Sequence, residues 1–245
     1  MKEMIKLLPG ENMIYFGDTA RVPYGTRSRE TVTKYSIENT EFLMSKGIKA
    51  LVVACNTVSS ISLPLLRREF PVPVIGVVEP GARAAAAATR LKRVAVIGTE
   101  ATVNSRSYEE AIKAIDASIH VSSIACPLFV PLIEEGWLNG EIVKLTAEKY
   151  LLPLRYNDVD SLVLGCTHYP MIKDIIKEVA GVTLIDSAVE TARDVKRVLE
   201  DKGMLRRSGG EGSREFYVTD FPEKFSRVGE NFLGHEILNI TKIDL

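Results

Sequence analysis

Two cysteines end short apolar runs in the same way. ALVVACNT carries Cys55 and SLVLGCTH carries Cys166, and each run passes through its cysteine into small polar residues and then a helix-like stretch. In an open α/β sheet, ligands bind outside the carboxyl ends of the strands. A helix N-terminus there presents free backbone N–H groups and a positive dipole, which favour a thiolate and also hold a carboxylate. A lone buried cysteine is ordinarily a packing residue; two at matching positions point to chemistry. Opposed thiols suit inversion at an α-carbon, because one thiolate removes the proton from one face and the other thiol returns it on the opposite face. That task wants a pKa near working pH, and an unperturbed thiol at about 8.5 is already close.

Other residues gather around these two. His168, two positions after Cys166, could polarise that thiol or stabilise its thiolate as an imidazolium; a purely structural hydrogen-bonding role is the alternative. Glu134, at the end of PLFVPLIEEG, could assist a proton transfer or simply be a solvated helix-end acid. DTARVPYGTRS, residues 18–28, is a loop shaped by Pro and Gly whose Tyr24, Gly25 and Thr26 offer hydroxyl and backbone donors to an acidic substrate. Cys126, before Pro127, has no counterpart and reads as an inert packing residue; His120 and His235 read as structural or surface residues. No GxGxxG or Walker A pattern marks a nucleotide site, and the three cysteines have no CxxC or metal-finger spacing. No metal or cofactor is expected, and neither disulfide framework nor thiol-disulfide chemistry fits.

The elements that must position these residues are legible in the hydropathy. Apolar runs at 13–16, 50–54, 74–78, 94–97, 161–164 and 182–185 read as parallel strands buried on both faces. Residues 119–125 and 214–220 add strands, and 28–46, 143–154, 171–179 and 223–233 have helical spacing. The first of these helices should turn Val32, Tyr35, Asn39, Phe42 and Leu43 to one face. Gly-rich RRSGGEGSR reads as a mobile surface loop. The strands fall into two sets, and the cysteine-bearing strands align as a weak internal repeat. The expected fold is α/β, with two pseudo-symmetric doubly wound parallel-sheet domains and the active site in the cleft between them. The expected domains are residues 1–79 plus 188–245, and 80–187.

The repeat also predicts an absence. The second set opens with VAVIGTEAT about 70 residues before Cys166, so the matching strand of the first set falls about 17 positions before Met1. MKEMIKLLPGE reads instead as part of a helix leading into MIYFGD. The first domain is therefore expected to lack its opening strand.

The bulk properties agree with a globular enzyme. The 245 residues are 46% hydrophobic and 26% charged, enough for a sizeable core. Thirty-one basic residues against 32 acidic give a net charge of −1, without the basic excess of a nucleic-acid binder. Apolar runs fall short of the roughly 20 residues that span a bilayer, and residues 1–11 show no signal peptide, so a cytoplasmic location without membrane association is expected.

Six blocks in order, FGDTARVPYG, VVACNTVSS, GVVEPG, ACPLFVPLIEEG, LGCTHYP and FYVTD, resemble the bacterial glutamate racemases, over nearly the whole chain. The resemblance implies interconversion of L- and D-glutamate without pyridoxal phosphate or metal, supplying D-glutamate for peptidoglycan. It implies Cys55 and Cys166 as the two acid/base thiols, with His168 and Glu134 assisting the second. Tyr24, Gly25, Asn56, Thr57, Thr167 and His168 would bind substrate, with Thr99 or Thr102 of VIGTEAT touching its carboxylate. A second copy of the chain is the expected partner. Family members open with a strand bearing Asp-Ser-Gly, which this sequence does not have; its Asp would assist the thiol on the Cys55 side. An aspartate or hydantoin racemase on the same scaffold, and a catalytically weak glutamate-binding protein, are the competing readings; the DTARVPYG loop favours glutamate.

Overall fold

Strand and helix alternate along the chain, and every strand pairing is parallel, as βαβ connections require. The computed structural model describes the chain except residues 207–208, 235–236 and 238 and the side chains of residues 231–232. His235 and part of the Gly-rich stretch thus lie outside the described residues. The strands are β1 (Met13–Gly17), β2 (Leu51–Val53), β3 (Val74–Gly76), β4 (Arg93–Gly98), β5 (His120–Ala125), β6 (Ser161–Gly165), β7 (Thr183–Ile185), β8 (Arg214–Val218) and β9 (Ile240–Lys242). The short β9, beside β8, has no counterpart among the sequence expectations.

The second half is one sheet in the order β5-β4-β6-β7. β4 is its spine, pairing with β5 from Arg93↔His120 to Gly98↔Ala125 and with β6 from Val94↔Ser161 to Gly98↔Gly165. Its side chains alternate between two cores, as the period of two dictates. Ala95 and Ile97, with Leu162 and Leu164, join Phe129, Tyr169 and Ile176 on one face. Val94 and Val96, with Val163, meet Ala82, Tyr108 and Ile112 on the other. Covering both faces explains the unbroken apolar runs. β1 and β7 are only partly buried, so the both-faces expectation fails there, and the edge strand β5 is partly exposed too.

The first half is divided. β1 pairs with β8, which pairs with β9, while β2 and β3 form a separate ladder. Among the described residues no pairing joins β1 to β2, although the equivalent strands β5 and β6 are bridged by β4. The helix Lys2–Leu7 lies against the helix Ser187–Asp201, and Leu8, Met13, Ile75, Val195 and Leu199 form a small core there.

The helix Arg29–Ser45 keeps part of the expected face, since Tyr35 and Leu43 pack against the core that holds Val32, and widens it. Its buried residues are Val32, Ser36 and Thr40, whereas Tyr35, Asn39, Phe42 and Leu43 are half-buried. The hydroxyls can be buried because each bonds one turn back, Ser36 to the Val32 carbonyl at 2.6 Å and Thr40 to the Ser36 carbonyl at 2.7 Å. Counting only apolar residues misses a stripe satisfied in this way. Among the described residues no helix is long and apolar enough to cross a membrane.

Candidate active site

The residues singled out above follow the carboxyl ends of β1, β2, β4, β5 and β6. Cys55 stands at the N-terminus of the helix Asn56–Ile61 and is half-buried. Burial, the largest influence, raises its pKa. Backbone N–H groups of Val58 and Thr57 and the Thr57 hydroxyl work against this, and a charge on Cys166 would raise it further. At rest, Cys55 holds its proton.

Cys166 is buried directly beyond β6. Its Sγ lies 3.8 Å from His168 Nδ1, and His168 Nε2 donates to Glu134 Oε1 at 2.7 Å. Burial opposes charge on the imidazole, but the hydrogen bonds to Cys166 and Glu134 outweigh it and push its pKa up to about 10. The hydrogen bond from His168 holds the Glu134 carboxyl below its ordinary range despite burial. Lys224, on the helix Pro222–Leu233, stands 3.8 Å from both Glu134 and Glu135. The His168–Glu134 pair thus stands directly beside the Cys166 sulfur.

Three hydroxyls meet where the halves face each other. Thr57 Oγ1 lies 3.0 Å from Thr99 Oγ1 and 3.4 Å from Thr102 Oγ1, and Thr99 and Thr102 are 3.1 Å apart. Thr99 caps the helix Glu100–Ser105, accepting from the Thr102 N–H. Gly25 packs against this group so closely that a Cβ there would fall 2.4 Å from Thr99 Cβ. A side chain at position 25 would force the loop off Thr99.

Tyr24 is placed differently from a free hydroxyl donor. Its phenol donates to Asp18 and accepts from Asn39 Nδ2 at 3.0 Å, so the backbone of residues 24–25, not the phenol, faces the threonines. Asp18 is buried and also accepts from Arg21 Nε at 2.7 and 2.9 Å and from Thr219 Oγ1 at 3.0 Å. The spacing of Asp18 and Arg21 hints at this pair; nothing local joins Asp18 to Thr219. Asn56 is buried, and its Oδ1 accepts from the Tyr108 phenol at 2.6 Å, another contact without a sequence signal. Thr167 is exposed beside Cys166. Cys126 is fully buried, and burial pushes its thiol up to about 12. His120 is an exposed residue of β5. Among the described residues no three His, Cys, Asp or Glu side chains converge as metal ligands.

Comparison with known proteins agrees with this geometry. The family model described as Asp/Glu/Hydantoin racemase matches residues 1–195. A glutamate racemase of Geobacter metallireducens is 53% identical, the match covering 100% of this chain and 92% of that protein. A glutamate racemase isoform from Bacillus anthracis superposes with a TM-score of 0.95 at 40% identity, over 99% of this chain and 91% of the other. The Francisella tularensis glutamate racemase, solved in complex with D-glutamate, gives a TM-score of 0.93 at 38% identity with 99% and 91% coverage. With two strand-end thiols set across paired α/β halves and matches of this extent, the chain belongs to the Asp/Glu/hydantoin racemase family, within its glutamate racemase group.

Proposed function

We propose that the chain interconverts L- and D-glutamate with Cys55 and Cys166 as the two proton-transfer groups. The observation that carries this reading is the pair of thiols at matching strand ends, one of them backed by a His–Glu pair. In one direction the Cys55 thiolate takes the α-proton. Negative charge develops at the α-carbon and its carboxylate, and the Cys166 thiol supplies a proton to the other face. The roles reverse for the opposite enantiomer, so each turnover leaves the thiols with exchanged protonation states. His168, held by Glu134, stabilises whichever anionic form Cys166 passes through.

Donors of Asn56, Thr57, Thr99 and Thr102, the backbone at Tyr24 and Gly25, and Thr167 with His168 bind the substrate. Charge developing on the carboxylate strengthens those hydrogen bonds in the transition state, which is where they accelerate the reaction. The reaction needs no metal or organic cofactor, runs in the cytoplasm as a homodimer, and supplies D-glutamate for peptidoglycan. We assign residues 1–79 with 188–245 to one domain and 80–187 to the other.

The same reading gives the first domain an open strand position between β1 and β2, because β4 occupies that place in the second sheet. A parallel segment there would pair both free edges and bring a further carboxylate or hydroxyl towards Cys55. The test is loss of optical rotation from pure L-glutamate after dialysis against chelator, with and without an N-terminal extension carrying such a strand. Racemisation should survive dialysis, and the extended chain should be faster and melt higher. Activity that required added metal or pyridoxal phosphate would reject the mechanism. Equal melting points and rates would reject the open strand position.

A further inference from the structure

The Tyr108–Asn56 hydrogen bond joins the halves directly beside Cys55. Tyr108 is buried in the second-half core, on the helix Ser107–Ile115. Asn56 opens the helix that follows Cys55. The adjacent Ser107 hydroxyl donates to Ser60 Oγ at 2.7 Å, so two bonds tie the same pair of helices. An asparagine amide has an acceptor end and a donor end that differ little in shape, and only its partners decide which way it faces. Here the phenol donates to Oδ1 at 2.6 Å. Burial, the largest influence, raises the phenol pKa, so Tyr108 keeps its proton and remains a donor. Turning the amide over would set Nδ2 in place of the acceptor and leave the phenol proton without a partner, which is costly in an apolar core.

The other end of the amide is open. Among the described residues the only sealed side-chain nitrogen or oxygen without a partner is Ser161 Oγ, and Asn56 Nδ2 donates to no protein acceptor. Its nitrogen is therefore not sealed within the protein. Gly81 makes room for this arrangement, since a Cβ there would come within 3.1 Å of the Tyr108 ring and 3.2 Å of its hydroxyl. We propose that Tyr108 is a positioning residue that fixes the Asn56 amide with its nitrogen towards the cleft, so that Asn56 recognises a carboxylate and not an ammonium group. This rests on the reading of Asn56 as a glutamate-binding residue.

The test is a double-mutant cycle of Tyr108→Phe and Asn56→Ala, read as KM, kcat and glutamate Kd, with NMR of the Asn56 side-chain amide in the wild type and in Tyr108→Phe. Loss of one orienting hydrogen bond should raise KM and Kd about 5–10-fold in Tyr108→Phe, with a smaller change in kcat. In the Asn56→Ala background the same substitution should change them less than about 2-fold, because its effect passes through Asn56. Equal costs in both backgrounds would make Tyr108 merely structural and overturn the proposal. The Asn56 amide should give one pair of proton signals in the wild type and broadened or doubled signals in Tyr108→Phe; unchanged signals would also overturn it. If Asn56→Ala leaves KM and Kd unchanged, the assignment of Asn56 to the substrate fails and carboxylate recognition fails with it, while the amide signals still decide the orientation by themselves.

Discussion

The two thiols occupy matching places in the repeat but have different surroundings. Cys166 has a titratable partner, since His168 lies 3.8 Å away and is itself held by Glu134 at 2.7 Å. Cys55 has backbone N–H groups of Thr57 and Val58 and one hydroxyl, set against burial that raises its pKa. One thiol lies beside a charged pair and the other beside neutral dipoles. Charge acts strongly in a low-dielectric cleft, whereas dipoles offset only part of the desolvation of an anion. Pseudo-symmetry of the backbone therefore does not give symmetry of the chemistry, and the two directions of proton transfer should respond unequally to the same perturbation.

The largest effect should come from removing each sulfur in turn. A serine hydroxyl is far too weak an acid to replace a thiol at neutral pH, so Cys55→Ser and Cys166→Ser should each lose racemisation by roughly 10³-fold or more. Cys126→Ser should stay within about 2-fold of wild type, because that sulfur is sealed in the core and pushed up to about 12. Deuterium incorporation from D2O separates the hands, since each single variant keeps one thiol facing one side of the α-carbon. Full activity in either strand-end variant, or loss of activity in Cys126→Ser, would dissolve the two-thiol comparison.

Removing the charge from one hand alone should have a smaller and lopsided effect. Glu134→Gln keeps the shape but takes away the carboxylate that helps hold the imidazolium. The rate of the direction in which Cys166 is the base should fall by about 10–100-fold, within the usual range for a positioned acid–base group. The direction served by the Cys55 base should fall less. The alkaline limit set by His168, near 10 in the wild type, should move down towards 6.5. Equal losses in both directions with an unchanged pH profile would show that Glu134 does not act through His168.

Legibility in the sequence falls off with chain distance. Parallel strands buried on both faces leave unbroken apolar runs, so β4 and β6 are plain there, as are the cysteines that end β2 and β6. Cys166 and His168 stand two residues apart, and that spacing alone suggests the pair. The buried Ser36 and Thr40 escape a hydropathy pattern because hydroxyls that bond one turn back look polar in it yet behave as satisfied core groups. The Thr57–Thr99 contact spans 42 positions, Asn56–Tyr108 spans 52 and Asp18–Thr219 spans 201. No periodicity carries such pairs; they exist only once two helices or a loop and a strand have docked. Tyr24 shows the consequence, since its type suggests a substrate hydroxyl while the distant Asp18–Thr219 pairing turns that hydroxyl inward.

The smallest difference between the two hands should appear in stability. His168 and Glu134 have side chains 24% and 31% exposed, so their charged hydrogen bond is only partly screened and should contribute about 1–3 kcal/mol. The folded imidazole is raised from 6.5 to about 10, so its stabilising share is fully present below 6.5 and is lost as pH rises through about 10. The Glu134 carboxyl is lowered from 4.5, so its share is present above 4.5 and is lost as pH falls through its folded value. The pair should therefore help most between these limits, near pH 5.5. Denaturant unfolding of wild type and Glu134→Gln should show its largest difference there and a shrinking one by pH 10.5. Cys166 supplies part of the His168 shift and Lys224 faces Glu134 from the first half, so each needs its own control. In a Cys166→Ala background the high-pH loss should begin earlier, because the imidazole then has one partner fewer. In a Lys224→Met background the low-pH loss should begin slightly earlier, and the high-pH loss should stay in place. Cys55→Ala should move neither limit. A shift there would mean that the first-half thiol is coupled to the charged pair, and the two sites would then be one titrating unit.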